Sequence, residues 1–220
     1  MKTFPKKRNI HRPTHLYLSH KLYFITGKTL HGEKYFNTNQ KKIIFTQIFN
    51  NLSKQMSVKI YAWILLDNHY HLLVSFNDSL TAVTPMSVTP MSATPMPATP
   101  MSATPMNSAP ANINPTISKF INRLHAITAL KLNKLDNTKS RKVWYQYFDK
   151  CIRSEKDFWI RFNYIHNNPV KHGYVKNLNE LEDYKFSSYS QWLKKNSKEW
   201  MASCFAQYPV VDFSCEDDSE

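Results

Sequence analysis

From Ser79 to Ser118 the chain carries no charged side chain, and within that tract a five-residue unit recurs: Val83-Thr-Pro-Met-Ser, Val88-Thr-Pro-Met-Ser, Ala93-Thr-Pro-Met-Pro, Ala98-Thr-Pro-Met-Ser and Ala103-Thr-Pro-Met-Asn. Proline at every fifth position removes backbone donors and sets φ, so neither a helix nor an inner strand can run through it. An extended or disordered linker is the expected state. Any core must therefore be assembled from two separated pieces. The sequence divides into residues 1–78 as the first half of one domain, 79–116 as a low-complexity insert, 117–193 as the second half and 194–220 as an extension with an acidic tail. The recurring methionines could form an interaction stripe, although expansion of a short coding repeat in a surface loop is the simpler account.

The 220 residues suffice for one domain with a core, and 42% hydrophobic and 14% aromatic content supplies the apolar surface for it. No apolar run is long enough to span a bilayer, and Met1-Lys-Thr-Phe-Pro-Lys-Lys-Arg lacks the apolar stretch of a secretory signal, so a cytoplasmic protein with no membrane association is expected. Cys151, Cys204 and Cys215 are odd in number and widely spaced, which excludes a C-x-x-C metal or redox motif. The formal charge is +13 although Glu216–Glu220 hold four of the sixteen acids. Residues 1–80 contain twelve Lys or Arg against Glu33, Asp67 and Asp78. Such one-sided charge points to a phosphate backbone as partner, the plainer alternative being that it only keeps the protein in solution.

His15-Leu-Tyr-Leu and Leu22-Tyr-Phe-Ile-Thr read as strands, with Gly27 and Gly32 as turn signals. Lys41–Leu52 reads as a helix burying Ile43, Ile44, Phe45, Ile48 and Phe49. Two strands follow, Val58–Leu66 and His69–Ser75, broken by a turn at Asp67-Asn68. Beyond the insert, Ile117–Leu132 is helical with a basic exposed face that includes Arg123. Ser154-Glu-Lys-Asp157 fits a capping box that opens a helix expected to end near Asn168, because Pro169 follows. This succession suggests an α+β fold, one antiparallel sheet under helices.

Two features carry chemistry. In His69-Tyr70-His71 on a strand, alternation sends both imidazoles to one side and Tyr70 to the other, the arrangement of two ligands for one divalent ion, although H-x-H pairs also occur by chance in many sheets. In the helix Phe158-Trp-Ile-Arg-Phe-Asn-Tyr-Ile-His-Asn-Asn168, Phe158, Phe162 and Ile165 share a face, whereas Tyr164 and Asn168 lie nearly opposite, flanked by Arg161. A phenol ionises near pH 10 and needs a neighbouring cation or base to act as a nucleophile. Periodicity alone favours the plainer reading, a half-buried tyrosine hydrogen bonded at a sheet interface.

Trp63-Ile-Leu-Leu-Asp-Asn-His-Tyr-His-Leu-Leu-Val resembles the HUH strand of the REP-associated tyrosine transposases, part of the single-tyrosine HUH transposases of insertion sequences. Asn163-Tyr-Ile-His-Asn-Asn-Pro-Val-Lys-His-Gly-Tyr-Val175 is similar to their nucleophile helix and the turn after it. Trp144–Glu155 resembles the family's preceding segment, and Tyr184-Lys-Phe-Ser-Ser-Tyr its closing one, so the likeness spans roughly residues 14–78 and 117–193. The resemblance implies a ferredoxin-like antiparallel sheet with a central HUH strand. It implies Mg²⁺ or Mn²⁺ held by His69, His71 and Asn168, and attack by Tyr164 on single-stranded or hairpin DNA to give a 5′-phosphotyrosine. Arg123, Arg161, Lys171 and His172 are the candidate DNA contacts. Monomer and homodimer both remain open, and the alternative activity is a domesticated, non-catalytic hairpin-binding protein. The insert and the acidic tail lie outside the family pattern.

Overall fold

The structure is a computed structural model that describes residues 21–76 and 116–213. The strand expected at His15–Leu18, the Thr-Pro-Met insert and the acidic tail with Cys215 lie outside the described residues. The first six strands and α-helices among the described residues are β1 (Leu22–Thr29), α1 (Asn39–Gln55), β2 (Val58–Leu65), β3 (His69–Phe76), α2 (Thr116–Leu135) and β4 (Trp144–Cys151). Their order in the sheet is β2-β3-β1-β4, with every neighbouring pair antiparallel. This is the split βαββαβ arrangement of ferredoxin-like folds, with β3 in the interior. Three strands come from the chain before the insert and one from after it. Helices α3 (Glu155–Lys171), α4 (Tyr189–Lys195) and α5 (Lys198–Gln207) are appended beyond β4.

The inner strands β1 and β3 are covered on both faces, so β3 reads as a continuous buried strand rather than an alternating one. On one face Tyr23, Ile25, Tyr70, Leu72 and Val74 meet Phe45 and Phe49 of α1 and Phe120 and Leu124 of α2. On the other face Phe24, Ala62, Ile64 and Leu73 meet Phe158, Phe162 and Ile165 of α3, with Tyr189 and Met201 of the last two helices behind them. Sequence alternation thus sorts β1 and β3 between two helical layers.

Several local expectations change. Gly27 is not a turn but lies inside β1, because the ring of Tyr70 occupies the space a Cβ would need. Gly32 does sit in a turn, at φ +70°. Ile43 is 47% exposed, and its neighbour Lys42 is buried instead, its ammonium 2.7 Å from Asp67 and above the rings of Tyr174, Tyr184 and Phe186. An ion pair with aromatic faces around it makes a charge tolerable there, and losing one partner of such a pair costs roughly 3–5 kcal/mol.

Helix α3 starts as expected, the Ser154 hydroxyl accepting from the Asp157 amide, a cap contributing about 1 kcal/mol. It does not end at Asn168 but passes through Pro169 to Lys171. Proline in a last turn removes one amide donor and leaves the closing bonds intact, the His172 amide donating to the Asn168 carbonyl.

Candidate active site

Register sets the site. In the β1–β3 ladder, Phe24 lies opposite Leu73, Thr26 opposite His71 and Lys28 opposite His69, so these side chains share the face against which α3 packs. Tyr70 points the other way, its hydroxyl 2.8 Å from His125 Nε2 on α2. The alternation expected for His69-Tyr70-His71 is realised.

Four side chains converge where α3 packs on β3. The rings of His69 and His71 are 5.1 Å apart, edge to face, and His71 also stacks on Phe24 at 5.4 Å. The Tyr164 ring lies 5.1 Å from that of His71. Asn168, one helical turn on, donates through Nδ2 to the Tyr164 carbonyl at 2.7 Å, leaving its Oδ1 3.4 Å from His69 Nε2. The structure therefore brings His69, His71, Tyr164 and Asn168 together. Tyr164 is more deeply placed than expected: with 3% of its surface exposed it belongs to the core stripe rather than to an outer face, because α3 is enclosed by the sheet on one side and the C-terminal segment on another. Phe213 packs on it with ring centroids 5.1 Å apart.

The electrostatics favour neutral imidazoles. Burial lowers the His69 pKa to about 4, helped by the proximity of His172, Lys28 and Lys171. Burial pushes His71 well below the ordinary histidine range, with His69, His172 and the same two lysines adding to the effect. His172, exposed as a residue but with its ring set against that of His69, is likewise lowered, by desolvation of that ring and then by Lys171. Neutral imidazole is the form that ligates a metal, and a cationic surround attracts a phosphate.

The donor set fits a divalent ion. His71 Nδ1 is 2.9 Å from the Thr26 hydroxyl, while its buried Nε2 has no hydrogen-bond partner. A buried polar atom left so is costly unless something else meets it. His69 Nε2 and Asn168 Oδ1 face one another at 3.4 Å, and these two atoms with His71 Nε2 are the ones that could hold such an ion. Among the described residues no three His, Cys, Asp or Glu side chains form a ready metal cage.

The other candidates are placed differently. Lys171 is exposed, 2.7 Å from Asp212, with its ammonium 5.6 Å from the centre of the Tyr164 ring. His172 is exposed and sets its ring 4.9 Å from that of His69. Arg161, by contrast, is 1% exposed, held by Asp157 at 2.9 Å and stacked on Phe24 and Phe213, so it is not a surface contact. Arg123 is exposed on α2, which covers the opposite face of the sheet.

Sequence reasoning missed four neighbours of the candidate side chains: Thr26 beside His71, Lys28 opposite His69, Asn68 with its Oδ1 2.8 Å from His69 Nδ1, and Phe213 on Tyr164. The first two are implied once β1 is paired with β3. Asn68 carried a turn signal but no functional one, and nothing in the sequence links Phe213 to Tyr164.

No protein-family model matches the sequence, and no curated protein does. Among solved structures, a REP-associated tyrosine transposase bound to a REP hairpin aligns with a TM-score of 0.52 and 17% identity, over 87% of this chain and 84% of that one. A candidate transposase from Deinococcus radiodurans aligns with a TM-score of 0.34 and 14% identity, over 76% of this chain and 97% of that one. The chain has the fold of the REP-associated tyrosine transposases, the family that its own motifs resemble.

Proposed function

We propose that the protein is a metal-dependent single-strand DNA endonuclease and strand transferase acting at hairpin-associated sites, with Tyr164 as its nucleophile. The observation that carries this reading is the convergence of the Tyr164 ring on His71, 5.1 Å away, beside an unpartnered imidazole nitrogen. The fold of a transposase bound to a REP hairpin supports DNA of that kind as substrate. So does the formal charge of +13.

His69, His71 and Asn168 would hold Mg²⁺ or Mn²⁺, which when bound withdraws charge from a scissile phosphate. The Tyr164 oxygen loses its proton and attacks phosphorus, forming a 5′-phosphotyrosine. The bond from phosphorus to the 3′ oxygen breaks, and that oxygen takes up a proton as a free hydroxyl. Phosphodiester energy is conserved, so another 3′-hydroxyl can reverse the attack and join strands. Lys28 and Lys171 raise the local positive potential that acts on the phosphate.

Burial of Tyr164 under Phe213 favours a second reading, a hairpin-binding protein that no longer cuts. Covalent capture separates the two. Labelled single strands carrying short stem-loops, incubated with Mn²⁺, should give an adduct that survives denaturing electrophoresis and is abolished by chelator and by Tyr164→Phe, while Tyr164→Phe retains DNA affinity. Hairpin binding without any adduct would establish the second reading. An adduct that persists in Tyr164→Phe would move the nucleophile elsewhere.

A further inference from the structure

The turn before the HUH strand is tied down from several sides. The Thr29 amide donates to the Asn68 carbonyl at 2.8 Å and the Phe36 amide to the Asp67 carbonyl at 2.9 Å. Buried Lys42 pairs with the Asp67 carboxylate, and the Asp67 amide donates to the Tyr174 hydroxyl. This leaves the Asn68 side chain a fixed pair of neighbours. Its amide nitrogen donates to the Gly32 carbonyl at 3.1 Å, and its Oδ1 lies 2.8 Å from His69 Nδ1.

These contacts settle which atoms carry hydrogen. A carbonyl oxygen can only accept, so the Asn68 atom near Gly32 is the NH₂ and the atom near His69 is the acceptor. His69 Nδ1 must then be the protonated nitrogen, and Nε2 carries a lone pair. Asn168 is fixed by the same logic: its NH₂ donates to the Tyr164 carbonyl at 2.7 Å, so its oxygen faces His69. Two acceptors, His69 Nε2 and Asn168 Oδ1, consequently meet at 3.4 Å. Without Asn68 the ring has a better option. Moving its proton to Nε2 would let it donate to Asn168 Oδ1, closing both ligand atoms on each other.

We infer that Asn68 is a positioning residue for His69, holding the Nδ1–H tautomer that keeps Nε2 and Asn168 Oδ1 open to one cation. This rests on the reading of His69 and Asn168 as metal ligands. Thr26 cannot impose the same choice on His71, because a hydroxyl both donates and accepts. Partners of this kind orient ligating histidines, and their loss typically weakens metal binding about 10–100-fold.

The test uses the full chain with ¹⁵N-labelled histidine. Long-range ¹H–¹⁵N correlation of the metal-free protein reads the His69 tautomer directly, and His69→Ala assigns the signal. Wild type should show Nδ1–H, Asn68→Ala should show Nε2–H, and Asn68→Asp, which keeps an acceptor oxygen, should show Nδ1–H. Calorimetric titration with Mn²⁺ should give about 10–100-fold weaker binding for Asn68→Ala than for wild type, with Asn68→Asp binding at least as tightly as wild type. An Nε2–H tautomer in the wild type overturns the inference even if no variant folds. So does an Asn68→Ala protein with unchanged tautomer and unchanged affinity. If the wild type binds no Mn²⁺ yet its tautomer follows Asn68 as expected, the positioning role stands and the metal reading fails.

Discussion

Phe213 covers Tyr164: the two rings meet edge to face with centroids 5.1 Å apart, and the preceding Asp212 holds Lys171 of the same helix at 2.7 Å. In the proposed reaction a DNA phosphate would have to reach the tyrosine hydroxyl past a segment that belongs to the chain itself. An aromatic pair of this kind contributes about 0.5–1.5 kcal/mol beyond area burial, equivalent to roughly two- to tenfold in the population of an uncovered state. Phe213→Ala should raise the initial rate of adduct formation by about that factor while lowering the thermal midpoint. A lower midpoint with an unchanged rate would assign Phe213 to packing alone.

Gly27→Ala should destabilise the protein by about 1–3 kcal/mol, the cost of overpacking a filled interior. The new methyl would enter the ring of Tyr70, which cannot swing away because it is hydrogen bonded to His125 and packed on Phe45 and Trp144. Denaturant unfolding measures the penalty. It should shrink in a Tyr70→Leu background, and a penalty that stays the same would place its cause elsewhere in the strand.

Acid should destabilise the fold through its buried histidines. Burial lowers His125 to a pKa of about 3 against 6.5 for the free side chain. Between those values the unfolded chain binds a proton that the folded chain refuses, so the contribution is intact above pH 6.5 and is lost as pH falls toward 3. His125→Gln removes this titration, and the fall in stability with acid should become shallower by up to about 1.4 kcal/mol per pH unit. Equal slopes for both proteins between pH 6 and pH 4 would exclude His125 as a contributor.

Replacing residues 83–107 by a short Gly/Ser connection should leave folding and cleavage essentially intact. Loop-closure cost grows with the logarithm of length, so the shortening changes stability by about 1 kcal/mol or less. Loss of most activity at an unchanged thermal midpoint would give the Thr-Pro-Met repeat a role in contacting DNA or a partner.

Local chemistry made much of this protein readable from its residues. Two-residue alternation placed His69 and His71 on one face and Tyr70 on the other, the turn at Asp67-Asn68 separated β2 from β3, and Ser154 capped α3. Each depends on neighbours in the chain, whose geometry is set within a few residues. Burial depends on what the chain brings back from far away. Tyr164 read as an outward residue because helical periodicity distinguishes the faces of one helix but not how many of them are covered, and Phe213 covers another. Lys42 is inside and Ile43 outside because Asp67 and three aromatic rings gather around the ammonium, an environment assembled from the first and last thirds of the sequence. Gly27 read as a turn because its need for space comes from Tyr70 across the sheet. The candidate site residues were legible one at a time. Which of their atoms face each other, and which are left without a partner, was decided by the register of β1 on β3 and the seating of α3 across them.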